Sequence, residues 1–234
     1  MHVSRSILWL ALAAAAPALA QQGINNISGD IQTQPGQTYG GLNSISGNIH
    51  VASHAEVRSA HTVSGNVTVD TGARAGDIAT TSGHLKVADN ARTGDLKSVS
   101  GNLALGRSVQ VEGGLASVSG NIFADRGSKI DGGVVTVSGS IGLVQTEVNG
   151  DIVFVSGDVT VGVNSHVSGR ITLKKPTYSK PSRPPRVVIG PNAVVDGSLE
   201  FGLPVKLYVH STAKIGAVTG ASAIPFTTLT PPKD

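Results

Sequence analysis

The sequence predicts an all-β fold, a single-stranded triangular parallel β-helix (β-solenoid) of about ten coils of 18–19 residues. Three observations lead there. A Ser-Gly pair recurs with its glycine at Gly29, Gly47, Gly65, Gly83, Gly101, Gly120, Gly139 and Gly157, at intervals of 18 or 19 residues. Aliphatic and polar residues alternate after each pair, as in Asn66-Val67-Thr68-Val69, which is the period of a strand and not of a helix. The 234 residues hold 30 Gly but only four Phe, three Tyr and one Trp, which suits a narrow aliphatic core with many bends.

A second row of glycines follows the same period: Gly40, Gly76, Gly94, Gly113, Gly132, Gly150, Gly169, Gly197 and Gly216, with Ser59 in the vacant place. Each is followed within a residue or two by Leu, Ile or Val. A third row of small residues precedes it: Ala55, Ala73, Ala91, Ser128, Ser165, Ala193 and Ala213. Three rows imply three bends per coil, and eighteen residues are too few for a helical hairpin or a propeller blade. Glycine suits bends because it adopts φ values that a Cβ resists, and because backbones approach closely there. Val63, Val67, Val69, Ala75 and Ile78 are expected to point inward and stack on their equivalents one coil away. A lone coil cannot bury its own core, so stability is cooperative along the array. The period does not determine the hand of the coil.

The segments at the ends read differently. Residues 1–20 carry Arg5, an apolar run from Ile7 to Ala16 and a closing Ala18-Leu19-Ala20, the layout of a secretory signal peptide. Residues 21–220 form the solenoid domain, interrupted by a basic, Pro-rich insertion at 174–186. Residues 221–234 read as a Pro-containing tail that covers the last coil. The chain carries +3, and without the leader and the five cations of the insertion the remainder is −3, so the positive balance is local.

Candidate sites are weighed against the bends themselves. Asn48, Asn66, His84, Asn102, Asn121, Ser140 and Asp158 form a column beside the Ser-Gly row; short polar residues at bends bond the backbone. Asp77, Asp95 and Asp151 share another column, interrupted by Gly114, Gly133, Arg170 and Ser198, and are read the same way. His50, His54 and His61 lack the recurring spacing of a metal site, and the absence of Cys excludes thiolate centres. No catalytic, cofactor-binding or metal residues are assigned. Gly29, Gly47, Gly65, Gly83, Gly101, Gly120, Gly139 and Gly157 are assigned as a structural bend ladder. Lys174, Lys175, Lys180, Arg183 and Arg186, with no acidic residue among them, are the candidate contact to envelope polyanions or anionic lipid.

Val195-Asp196-Gly197-Ser198-Leu199, Val167-Ser168-Gly169-Arg170-Ile171 and the Gly-Asp-Ile/Leu steps at Gly76, Gly94 and Gly150 resemble the bactofilins, polymer-forming proteins of bacteria. The Val-Ser-Gly-Asn/Asp steps are similar to the β-strand-repeat domains of adhesin type. The resemblance implies a right-handed triangular β-helix and self-assembly. Bactofilins are typically cytoplasmic, whereas this chain carries an export signal. Ile189-Gly190-Pro191-Asn192-Ala193-Val194 also fits the hexapeptide rule of left-handed acyltransferase helices, but most of the chain does not follow that rule.

The expectation for function is an exported, non-catalytic solenoid, periplasmic or at the cell surface, acting as a structural, adhesive or self-assembling element of the bacterial envelope. Its expected partners are a second copy, end to end, and envelope polysaccharide or anionic lipid. Nucleic acid, a cofactor and a transmembrane span after cleavage of the leader are not expected. The alternative is a glycan-binding or polysaccharide-active β-helix.

Overall fold

The computed structural model describes residues 22–176 and 183–232. The leader and Lys180 therefore lie outside the described residues. All regular structure within them is β, and every strand pairing is parallel. The chain winds through three faces per coil. In the fourth coil, Arg74–Ser82 supplies the first two faces and Leu85–Val87 the third. Third-face strands pair one to the next, from Ile31–Gln32 to Ala223–Phe226, in an eleven-stranded sheet. Eleven turns follow, and the last comes from Ala223–Phe226, inside the segment read as a tail. Pro225 ends the run of coils there, because it has no N–H to offer a further strand.

Pairing is in register at each step. Val67 lies beside Leu85 and Val69 beside Val87, while Ile78 lies beside Leu96 and Leu96 beside Leu115. These side chains are all buried in one continuous aliphatic core running the length of the rod. Among the described residues Phe154 is the only fully enclosed aromatic.

Three kinds of corner separate the faces. At the Ser-Gly corner the glycines stack so closely that a Cβ on Gly47, Gly65, Gly83, Gly101, Gly120, Gly139 or Gly157 would run into the carbonyl of the glycine one coil earlier. Close approach, more than dihedral freedom, requires glycine in this row: only Gly29 and Gly157 have positive φ, at 110° and 105°. Left-handed residues sit instead at the corner between the third face and the next coil. His54, Asn90, Ser108, Gln145, Asn164 and Asn192 all hold φ between 45° and 59° there, and Gly36, Gly72 and Gly127 take the same place in other coils. Asparagine tolerates this region better than most residues. Ala55, Ala73 and Ala91 follow these positions and are fully buried.

Candidate functional site

The polar column beside the Ser-Gly corner forms one uninterrupted hydrogen-bond relay along the rod. The Asn48 N–H donates to Asp30 Oδ1 at 2.8 Å, Asn66 N–H to Asn48 Oδ1 at 2.9 Å, and His84 N–H to Asn66 Oδ1 at 2.8 Å. Asn102 N–H then donates to His84 Nδ1 at 3.0 Å, which requires the His84 tautomer protonated at Nε2. Asn121, Ser140 and Asp158 carry the relay on, and the Arg186 N–H closes it on Asp158 Oδ1 at 2.9 Å. Each side chain caps a backbone donor that the turn withdraws from the sheet.

The aspartates at the glycine corner are engaged in the same way. Asp77 Oδ1 accepts from the Asp95 N–H at 2.9 Å, Asp95 Oδ1 from Gly114 N–H at 2.8 Å, and Asp151 Oδ1 from Arg170 N–H at 2.8 Å. The Lys97 ammonium, 2.8 Å from Asp95, and then the Gly114 N–H hold the Asp95 carboxyl below its ordinary value. The Arg170 N–H does the same for Asp151. The histidines do not converge: His50 meets Asp70 at 2.8 Å, His166 meets Asp196 at 2.7 Å, and His61 is exposed on the second face. Among the described residues no group of three or more His, Asp or Glu is placed to hold a metal ion.

The described cations of the basic insertion divide into anchored and outward-facing ones. Arg183 grips Asp158 through both guanidinium nitrogens, at 2.6 and 3.0 Å. Burial would raise the Asp158 carboxyl, but Arg183, the Arg186 N–H and both positive charges outweigh it and hold it low. The Arg186 guanidinium lies 4.8 Å from the Tyr208 ring centre and donates to the Pro232 carbonyl. It thereby holds the chain end back over the third face, where Val188, Tyr208 and Phe226 form a small second cluster. Arg183 and Arg186 thus fasten the insertion, while Lys174 and Lys175 remain exposed on the rod.

The second face carries a feature that the sequence reading had inside out. Val63 does not point inward; it is 49% exposed. Thr62, its neighbour, is buried, and its hydroxyl donates to the Gly47 carbonyl at 3.0 Å. The reason is the corner, where Val63 and Ser64 both face outward in succession, so the alternation counted back from Val67 loses one step. The same holds all along the face. Ile27, Ile45, Val63, Val99, Val118 and Val137 form an outer column whose exposure runs from 75% to 43%, with Thr81 in the remaining place. Behind it Ser44, Thr62, Thr80, Ser98, Ser117 and Thr136 form an inner hydroxyl column. Counting forward from Ala60 or Leu96 would have shown the outward parity.

Outer positions next to the ladder are small at Ala79 and Ala116, which leaves an apolar groove of about 510 Å³ beside Val99, Val118, Val135 and Val137. Beyond Val155 the ladder ends: Leu173 pairs with Phe154, and the residues that follow are Lys174 and Lys175. A different cleft, of about 520 Å³, opens at the glycine corner, where Gly76 and Gly94 lack side chains between Arg58, Arg74, Arg92, Glu56, Asp77 and Glu112. Its charges are mixed, with Arg74 and Glu56 3.9 Å apart. No family model, no curated protein and no solved structure matches this chain.

Proposed function

We propose that the chain is an exported, non-catalytic β-solenoid that serves as a rigid structural or adhesive, self-assembling element of the bacterial cell envelope. The observation that carries this reading is the relay from Asp30 to Arg186. Asp30, Asn48, Asn66, His84, Asn102, Asn121 and Asp158 are committed to capping backbone donors, coil after coil. Such commitment favours stiffness over chemistry, since a residue fixed as a cap is not available for proton transfer to a substrate. The resemblance to the polymer-forming bactofilins supports self-assembly, and the leader read at residues 1–20 supports a location outside the cytoplasm. Lys174 and Lys175 are the cations available to an anionic envelope polymer or headgroup.

A second reading, glycan binding, draws on the arginine-lined cleft at Gly76 and Gly94. Solution scattering and electron microscopy of the purified protein test the first reading. The expected particle is a rod about 48 Å long, ten steps between eleven coils. Glycan-array binding followed by cleavage of a bound polysaccharide would replace the structural reading with the enzymatic one.

A further inference from the structure

We propose that the outer aliphatic ladder of the second face is a self-docking surface, joining two copies of this chain side by side and antiparallel. The proposal rests on the structural reading above and names its partner.

Three properties of the face select a second copy as the occupant. The first is pitch. Side chains of one kind repeat at the strand spacing of about 4.8 Å, and another solenoid of this chain presents the same spacing in the same length. The second is self-complementarity. A two-fold axis lying in the interface across the rod reverses the coil order and keeps each column on its own side. Centred between the fourth and fifth coils, it sets Thr81 against Val99 of the second copy and Val63 against Val118. Ile45 then meets Val137, so the larger end of each ladder lies on the smaller end of the other. In the adjacent column Ala79 receives the stem of Lys97, and Ala116 receives His61. The two longest side chains of that column thus meet alanines and Asn43 meets Val135, while the Lys97 ammoniums of the two copies, one coil apart, are each neutralised by their own Asp95 at 2.8 Å. A parallel arrangement would instead swap the columns and lay the aliphatics on Asn43, His61 and Lys97.

The third property is where the ladder stops. Lys174 and Lys175 replace the aliphatics after Val155, and in the antiparallel register those coils overhang the partner. The charged residues therefore bound the interface. Eight coils of about 4.8 Å spacing and a face about 15 Å wide give roughly 580 Å² per copy. About 1,150 Å² in total lies near the lower limit for a specific interface, so the pairing is reversible and concentration-dependent.

Sedimentation velocity of the purified protein across a concentration series, up to about 1 mM, is the test. The expected result is a monomer–dimer equilibrium whose midpoint rises at least tenfold in Val99→Glu and in Val118→Glu, with unchanged far-UV circular dichroism and melting. The chain has no cysteine, so a mixture of Thr81→Cys and Val99→Cys proteins, oxidised together, reads the register directly. A disulfide-linked heterodimer is expected in the mixture and neither variant alone should cross-link efficiently. A wild-type monomer throughout the series overturns the docking surface, as does a dimer indifferent to both glutamates. Efficient cross-linking of Val99→Cys to itself overturns the register. Each of these results leaves the rod reading to its own scattering test.

Discussion

Coils two to four differ from coils six to ten at one corner. In the earlier coils the chain turns from the first face to the second within two residues: Gly40-Gly41, Arg58-Ser59 and Gly76-Asp77. The strand runs through the corner unbroken, as nine-residue segments Thr38–Ser46, Glu56–Ser64 and Arg74–Ser82. In the later coils the corner has three residues, such as Glu112-Gly113-Gly114 and Asp131-Gly132-Gly133, and the strand splits into Gln110–Val111 and Leu115–Ser119, or Lys129–Ile130 and Val134–Ser138. Both corners place an inward residue on each side, Ala75 and Ile78 in one, Val111 and Leu115 in the other. One added residue therefore changes the bend without reversing the faces. The inner hydroxyl column differs as well: Thr62 and Thr80 reach the preceding glycine carbonyl at 3.0 Å, while Ser117 and Thr136, behind three-residue corners, do so at 3.4 and 3.5 Å. The unbroken coils three and four hold their hydroxyls closest, whereas Ser44 in coil two is buried without a hydrogen-bond partner.

The glycine spine is common to both regions, and breaking it has the largest expected effect. Gly83→Ala and Gly139→Ala should each destabilise by more than about 4 kcal/mol, since the new methyl meets backbone with no room to shift. Chemical denaturation measures both; a clear difference between them would show that the corner, and not the spine, sets local stiffness. Next in size is the test of inside against outside. Val67→Asp should cost about 3–5 kcal/mol by burying a carboxylate, while Thr68→Asp and Val63→Asp should stay within about 0.5 kcal/mol. Thermal melting separates them.

That second test also marks how far the fold was legible. The period, the three rows of bends and the inward roles of Val67, Val69, Ala75 and Ile78 follow from spacing, because each coil repeats the same constraint. Val63 was misplaced because a corner with two successive outward residues resets the alternation, and pattern counting across it cannot detect the reset. The polar column was read correctly as backbone caps. Its continuity to Arg186 was not legible, since the insertion separates Asp158 from the residue that completes the relay. Nor did the sequence distinguish the anchoring arginines from Lys174 and Lys175: all five cations look alike until Asp158, Tyr208 and Pro232 are brought beside two of them.

Smaller effects sharpen the comparison between the two regions. Thr80→Val should cost about 1 kcal/mol by stripping the Gly65 carbonyl of its donor, whereas Thr136→Val, whose bond is already stretched, should be close to neutral. Equal losses on thermal unfolding would contradict the difference drawn from their geometry. Last comes pH. Asp95, Asp151 and Asp158 titrate below their ordinary value in the folded rod. Their stabilisation is complete above the unfolded carboxylate value of about 3.9 and is lost as pH falls through the depressed folded values. Melting temperature should therefore fall in acid below about pH 4, and Asp158→Asn should make that fall shallower.

The spacing of the coils has a mechanical consequence. Because the backbone bonds between coils lie along the rod axis, tension passes through every coil, and the end coils, which have a neighbour on one side only, peel away first, one row at a time. Each coil of 18 residues then frees about 60 Å of chain at roughly 3.4 Å per residue. Pulled from its ends, the molecule should lengthen in even steps at low force, with a stall where the clasp of Arg183 on Asp158 must first let go.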